Sequence, residues 1–203
     1  MTMELSKKQE EVLEAEGHLL VIGGPGAGKT TVSILKAADV AASLRNGQEV
    51  LFLSFARATI SRVIEAIESE HDIPKAIKSR INVETYHSFF WRGLQTHGYL
   101  LGLPRPLTIL TPANEAIALS PIRSEYKVEG KLSEAEKTEK KGKEQTELLR
   151  QAKVEGRVCF DLFARHVAEL LERSKRIRQV IAARYPVIVL DEFQDTNADQ
   201  WRV

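Results

Sequence analysis

A glycine-rich stretch near the amino terminus has the pattern of a phosphate-binding loop. Residues 23–30 read Gly-Gly-Pro-Gly-Ala-Gly-Lys-Thr and fit G-x-x-x-x-G-K-[ST] in full. Glycines let backbone N–H groups turn inward around phosphate oxygens, and a helix that begins after the loop points its positive end at the same anion. We therefore expect Lys29 to reach the β- and γ-phosphates of a nucleotide, and the Thr30 hydroxyl to bind Mg²⁺. The predicted nucleotide contacts are Gly23, Gly24, Pro25, Gly26, Ala27, Gly28, Lys29, Thr30 and Thr31.

An acidic pair at the end of an apolar run could supply the second half of such a site. Residues 187–190 read Val-Ile-Val-Leu and lead directly into Asp191 and Glu192. We expect Asp191 to hold Mg²⁺ through its hydration shell and Glu192 to orient and deprotonate an attacking water. An isolated pair of this kind is equally typical of a solvated strand end. In a chain that also carries the glycine-rich loop, the pair predicts a site for ATP and Mg²⁺.

The elements around these motifs alternate between helix and strand. We predict helices over 6–14, 29–44, 59–67 and 88–94, an amphipathic helix from Phe160, buried strands over 18–22, 50–55 and 187–190, and a short strand over 81–83. This alternation is typical of parallel strands covered by helices, so an α/β fold is expected.

The composition restricts the class of protein. The chain has 203 residues with a formal net charge of +1, so a nucleic-acid partner would need a local basic stripe. Cys159 is the single cysteine, which excludes an intramolecular disulfide and a cysteine-rich metal site. The sequence contains neither a signal core nor an apolar run of membrane-spanning length. We therefore expect a cytoplasmic protein with no membrane partner.

The middle of the chain differs in character from both ends. Thr111-Pro112 and Ser120-Pro121 each have the pattern of a helix N-cap followed by a first-turn proline. Roughly half of residues 123–157 are charged, with both signs mixed. This stretch is predicted to be either an exposed helical insertion or a mobile segment.

The residues around the acidic pair resemble a known family. Asp191-Glu192-Phe193-Gln194-Asp195-Thr196-Asn197 is similar to motif II of the UvrD/Rep-like superfamily 1 DNA helicases. Residues 23–31 resemble the family's motif I, residues 51–63 its motif Ia and residues 85–89 its motif Ib, in the family's order. The resemblance runs from Leu5 to Gln200. It implies a RecA-like ATP-binding lobe of the P-loop NTPase type, belonging to an ATP-dependent DNA helicase or translocase, with ATP and Mg²⁺ as cofactors and single-stranded DNA as a partner.

The resemblance also implies roles for single residues at the nucleotide. Gln194 would sense the γ-phosphate, and together with Lys29 and Glu192 it forms the expected catalytic set. Gln9 lies in the family's Q motif and would read the adenine. A capping box between Ser6 and Gln9 explains the same glutamine equally well, and the two roles compete for one side chain.

The DNA contacts implied by the resemblance are Phe55, Arg57, Thr85, His87 and Ser88. Phe55 could offer a surface for base stacking, but it could equally be a core aromatic at a strand end. His87 and Ser88 could contact a phosphate backbone or instead cap the helix that begins near them. Motif Ia also departs from the family's usual Thr-Phe-Thr-Asn-Lys-Ala, since the positive charge stands one position earlier, at Arg57.

The resemblance implies a domain organisation as well. Residues 1–97 would be the first part of the lobe called 1A, residues 98–157 an insertion similar to a shortened 1B subdomain, and residues 158–203 the return to lobe 1A. The family's second RecA-like lobe is not expected within these residues, so we predict nucleotide binding with little turnover unless that lobe or a partner protein is added. The alternative is a non-catalytic ATP-binding module that regulates a partner helicase or nuclease.

Overall fold

The computed structural model describes residues 5–24, 26–126 and 132–203 of the chain. They form two compact units. The first unit runs up to Tyr86 and resumes over Arg176–Thr196, and the second comprises His87–Lys175 and Asn197–Val203. The predicted insertion at 98–157 lies inside the second unit, which extends beyond it at both ends. Its similarity to a 1B subdomain stays a prediction.

Helices make up most of the described chain. They are α1 (Lys7–Glu14), α2 (Lys29–Ser43), α3 (Arg57–Ser69), α4 (Lys75–Lys78), α5 (Tyr86–His97), α6 (Pro112–Glu125), α7 (Glu134–Glu155), α8 (Asp161–Arg173), α9 (Lys175–Arg184) and α10 (Ala198–Trp201), with 3₁₀ turns at Gly98–Leu101 and Phe193–Asp195. The helices predicted from the sequence correspond to α1, α2, α3, α5 and α8, whereas α4, α9 and α10 were not foreseen. None of the helices in the described ranges is long and apolar enough to cross a membrane.

The first unit is built on a parallel sheet. Its strands are β1 (Val50–Ser54), β2 (Ile81–Thr85) and β5 (Val187–Leu190), in the order β2-β1-β5. Val50 lies opposite Ile81 on one side and opposite Val187 on the other. Every residue of the central strand β1 is buried, as expected for a parallel strand covered on both faces. A mixed α/β fold with a parallel sheet is therefore confirmed, and the RecA-like topology stays a prediction.

A hydrophobic cluster of the first unit lies on one face of this sheet. Helices α2 and α3 pack their apolar sides against β1, because their buried residues recur at helical spacing. The cluster comprises Ile34, Ala37, Ala38, Ala41, Val50, Phe52, Val63, Ile67, Ile73 and Ile81, with Val187 and Val189 packed against it. Because β1 and β5 pair in parallel, both strands point their carboxyl ends toward the same edge of the sheet.

The strand predicted at 18–22 is wrong. The segment has no strand structure, and Leu20 and Ile22 are 75% and 86% exposed. A strand needs a neighbour for its backbone N–H and C=O groups, and none of the strands in the described residues pairs with this segment.

The prediction that β5 is a buried strand is wrong as to its burial. Ile188 and Leu190 are 46% and 42% exposed, although Leu51 and Leu53 opposite them on β1 are buried. The reason is that β5 lies at an edge of the sheet and has a paired neighbour on one side, whereas β1 is paired on both.

The second unit contains the charged segment and a small parallel sheet. Its strands are β3 (Thr108–Ile109) and β4 (Arg157–Val158). The amphipathic helix α8 buries Phe163, whose ring stacks on Trp91 with centroids 5.1 Å apart. The helical alternative for the charged segment is confirmed over α7, while residues 127–131 lie outside the described residues.

One predicted helix start in the second unit is confirmed and one is wrong. Thr111 caps α6, since its hydroxyl oxygen accepts a hydrogen bond from Asn114 N at 3.4 Å, with Pro112 at the first helical position. Pro121, by contrast, lies inside α6 rather than at the start of a new helix. The proline removes one backbone donor, and the helix nevertheless continues to Glu125.

Candidate nucleotide-binding site

The glycine-rich loop leads directly into α2, with Gly28 as the N-cap. Gly26 and Gly28 have φ angles of +76° and +75°, in the left-handed region that favours glycine. A Cβ added at Gly24 or Gly26 would meet no atom within 4 Å, so the space beside these two residues is open. The first N–H groups of α2 have no intrahelical acceptor and face this end of the helix. Pro25, a predicted contact, lies outside the described residues.

Lys29 folds back over the loop that precedes it. Its Nζ donates hydrogen bonds to Gly23 O at 2.8 Å and Gly24 O at 3.2 Å. The ammonium group is therefore held over the loop by neutral carbonyls, which an anionic phosphate would outcompete as hydrogen-bond acceptor. Thr30 and Thr31 occupy the first turn of α2 and are half-buried.

Asp191 is fixed to the end of β1 at two points. Its backbone N donates to Leu53 O at 2.9 Å, which continues the parallel ladder beyond β5. Its Oδ2 accepts a hydrogen bond from Ser54 Oγ at 3.2 Å. The residues that hold the carboxylate are thus supplied by a strand far away in the sequence.

The electrostatics link Asp191 to the glycine-rich loop. Burial raises the pKa of Asp191 above its ordinary value, the Ser54 hydrogen bond lowers it, and the Glu192 charge raises it again. The Lys29 charge also lowers the pKa of Asp191, so the two residues lie within electrostatic reach. The charge of the predicted phosphate-binding lysine therefore acts on the predicted metal carboxylate in the folded chain.

Glu192 has an unusual backbone conformation. Its φ and ψ are 52° and 39°, which lie in the left-handed region. Among the described residues, Glu192 is the single residue other than glycine with a positive φ. Such a conformation costs about 1–3 kcal/mol and is found preferentially at functional sites. The Gln194 side-chain amide donates a hydrogen bond to Glu192 Oε2. In this structure Gln194 therefore holds the neighbouring carboxylate, and its contact with a γ-phosphate stays a prediction.

Gln9 contacts both its own helix and the glycine-rich loop. Its Oε1 accepts from Ser6 N at 2.8 Å, which confirms the predicted capping interaction. Its Nε2 donates to Ala27 O at 3.2 Å. The two ends of one amide thus make two contacts at once, which sequence reasoning did not foresee. The reading of adenine stays a prediction.

Helix α1 is anchored to α2 at its other end as well. Lys36 Nζ donates to Leu13 O at 2.5 Å and to Ala15 O at 2.8 Å, satisfying carbonyls at the carboxyl end of α1. Together with the Gln9 contact, this places α1 firmly beside the loop.

The predicted DNA contacts are divided between the two units. Phe55, Arg57 and Thr85 belong to the first unit, and His87 and Ser88 belong to the second. Arg57 is exposed at the first position of α3, and Thr85 is half-buried at the end of β2. Ser88 is exposed, and the His87 ring lies edge-on to Phe160 with centroids 5.8 Å apart.

Phe55 is neither a free platform nor a core residue. It is half-buried, and its ring stacks on Tyr86 with centroids 4.4 Å apart and planes inclined by 27°. Tyr86 is buried, and burial together with the Asp191 charge raises the pKa of Tyr86 to about 12. Sequence reasoning missed both Tyr86 and Ser54, because nothing local to either residue indicates its proximity to Asp191.

Comparison with known proteins identifies the family of the chain. The family model of the UvrD/REP helicase N-terminal domain matches residues 5–151 and 119–203, so the chain belongs to that family. A protein of Bacillus subtilis (strain 168) named "Putative ATP-dependent DNA helicase YjcD" is 25% identical over 218 aligned positions. The alignment covers 95% of this chain and 28% of that protein. The chain therefore spans less than a third of the length of this relative.

Proposed function

We propose that the chain is the ATP-binding lobe of a UvrD/Rep-type DNA helicase or translocase, which binds Mg-ATP and single-stranded DNA. The observation that carries this proposal is the glycine-rich loop that caps α2 just before Lys29, in the same unit as an Asp191 carboxylate held at the carboxyl end of a parallel sheet. In open α/β sheets, ligands bind outside the carboxyl ends of the strands, where the following loops converge. Family membership supports the same assignment.

The residues present fit a nucleotide and its metal ion. The open space beside Gly24 and Gly26 and the N-terminus of α2 suit a phosphate chain. Thr30 and Asp191 offer hydroxyl and carboxylate oxygens, which are the ligands that Mg²⁺ prefers. Bound Mg²⁺ would neutralise charge that develops on the β- and γ-phosphate oxygens during transfer.

The protein's own part in hydrolysis is positioning and proton transfer. Lys29 would exchange its loop carbonyls for phosphate oxygens and so place its charge at the reacting group. Glu192 would orient a water and accept its proton, with Gln194 holding the carboxylate until the phosphate competes for the amide.

Single-stranded DNA would bind near the surface at Phe55 and Arg57. The half-buried Phe55 ring would be the surface for base stacking, and the exposed Arg57 would supply a charge for phosphate. Turnover would need groups beyond these residues, since an arginine finger from a second lobe typically contributes about 10³–10⁵ in rate. We therefore propose that the chain alone binds nucleotide and hydrolyses it slowly.

Titration with a fluorescent ATP analogue and Mg²⁺ tests the nucleotide site. We expect saturable binding by the native chain and at least about tenfold weaker binding by Lys29→Ala, since a charge-assisted contact to phosphate is lost. Lys141→Ala is the matched control, because this lysine is exposed on α7 in the other unit. Equal binding by the native chain and Lys29→Ala would contradict the proposal.

Addition of a second helicase lobe in trans tests whether the site is catalytic. Recovery of DNA-stimulated hydrolysis would support an enzyme lobe. Tight nucleotide binding without any recovery would instead favour the alternative, a module that uses ATP to regulate a partner helicase or nuclease.

A further inference from the structure

Ser54 is a buried hydroxyl in an otherwise apolar strand. It is 0% exposed, and the four residues before it in β1 are Val50, Leu51, Phe52 and Leu53. Burying a hydroxyl among apolar side chains is unfavourable unless it makes a hydrogen bond. Ser54 Oγ makes that bond with Asp191 Oδ2 at 3.2 Å, across the boundary between β1 and the end of β5.

This bond fixes the direction of the Asp191 side chain. The backbone of Asp191 is already held by its hydrogen bond to Leu53 O at 2.9 Å. With the main chain held at one point and a carboxylate oxygen at another, the two side-chain torsions of Asp191 are restricted. Residues that hydrogen-bond to a metal-binding side chain orient it, and they commonly influence the affinity of the site for the metal.

The hydroxyl is chemically suited to this task. Ser54 donates one hydrogen bond to the carboxylate and brings no charge of its own, so Asp191 keeps its full negative charge for a cation. An alanine at this position would leave the strand intact but free the carboxylate to rotate.

We propose that Ser54 is a positioning residue that aims the Asp191 carboxylate at the Mg²⁺ of the bound nucleotide. The proposal rests on the nucleotide-binding function proposed above. Ser54 does not touch the nucleotide, and its effect is confined to the part of the affinity that Mg²⁺ contributes.

The test compares nucleotide binding in Mg²⁺ with binding in EDTA for the native chain, Ser54→Ala and Ser54→Thr. For Ser54→Ala we expect unchanged affinity for the fluorescent ATP analogue in EDTA and a loss of about 10–100-fold in apparent Mg²⁺ affinity. Ser54→Thr retains the hydroxyl and is expected to keep most of the Mg²⁺ effect. Ser43→Ala is the control, since the Ser43 hydroxyl donates a hydrogen bond within its own helix, to Val40 O at 2.9 Å.

Three other outcomes would overturn the proposal. Native Mg²⁺ dependence in Ser54→Ala would show that the hydrogen bond does not orient the metal carboxylate. Equal losses in Mg²⁺ and in EDTA, accompanied by a lower urea midpoint, would show a purely structural role. Failure of the native chain to bind the analogue in either buffer would overturn the nucleotide-binding function itself, and is thereby distinguished from the first two.

Discussion

The contact between Gln9 and the glycine-rich loop can be measured by adding a single methyl group at Gly28. A Cβ at this position would lie 2.7 Å from Gln9 Nε2, closer than such atoms approach, so the amide must move. The φ angle of +75° is also strained for alanine. Backbone strain accounts for about 1–2 kcal/mol, and loss of the Gln9 hydrogen bond to Ala27 O for about 0.5–1.5 kcal/mol. Gly28→Ala should therefore lower the free energy of unfolding by roughly 1.5–3.5 kcal/mol.

Gly26→Ala is the matched control for this substitution. Gly26 has nearly the same φ angle, +76°, but its added Cβ would meet nothing within 4 Å. We expect Gly26→Ala to cost only the backbone strain, about 1–2 kcal/mol. The difference between the two variants isolates the contact with Gln9.

A double-mutant cycle measured by urea denaturation completes the test. In a Gln9→Ala background the amide is absent, so Gly28→Ala should cost no more than Gly26→Ala. If Gly28→Ala lowered the free energy of unfolding equally with and without Gln9, the reasoning would be refuted, because the contact of Gln9 with the loop would not contribute to the loss.

Three further predictions concern the exposed segment, the buried carboxylate and the aromatic surface. Ile22→Ala should change the free energy of unfolding by less than about 0.5 kcal/mol. Ile34→Ala in the core should lower it by about 2–5 kcal/mol in the same urea assay. A large loss of stability in Ile22→Ala would show that residues 18–22 are packed. The pKa of Asp191 is raised in the folded state, so ionisation of Asp191 destabilises the fold once the pH rises above the ordinary pKa of the group. Asp191→Asn should therefore raise the urea midpoint at neutral pH and lose that gain at acid pH. An identical gain at both pH values would contradict the pKa shift. Phe55→Ala should weaken single-stranded DNA binding by about 1–3 kcal/mol, measured by fluorescence anisotropy, and unchanged binding would exclude Phe55 as a stacking surface.

The features that the sequence predicted correctly are those with a local physical cause. The glycine-rich turn and the start of α2 at Lys29 follow from a short pattern whose backbone requirements are contained within it. The same holds for the core spacing of α8 and for the cap of α6 at Thr111, where neighbouring residues supply the reason for the structure.

The features that escaped prediction depend on neighbours distant in the sequence. The apolar run at 18–22 has the composition of a buried strand, but a strand exists only beside a partner, and no pattern within the run reveals whether one is present. Pro121 reads locally as a helix start, yet the helix begun at Thr111 continues through it. The bond between Ser54 and Asp191 joins two strand ends that only the register of the parallel sheet brings together.

Calorimetric titration of the chain with a non-hydrolysable ATP analogue, in Mg²⁺ and in EDTA, tests the central claim that Lys29 and Asp191 form one nucleotide site. We predict that the native chain binds more tightly in Mg²⁺, that Lys29→Ala loses affinity in both buffers, and that Asp191→Asn loses only the Mg²⁺-dependent part. Binding that is insensitive to both substitutions would contradict the claim.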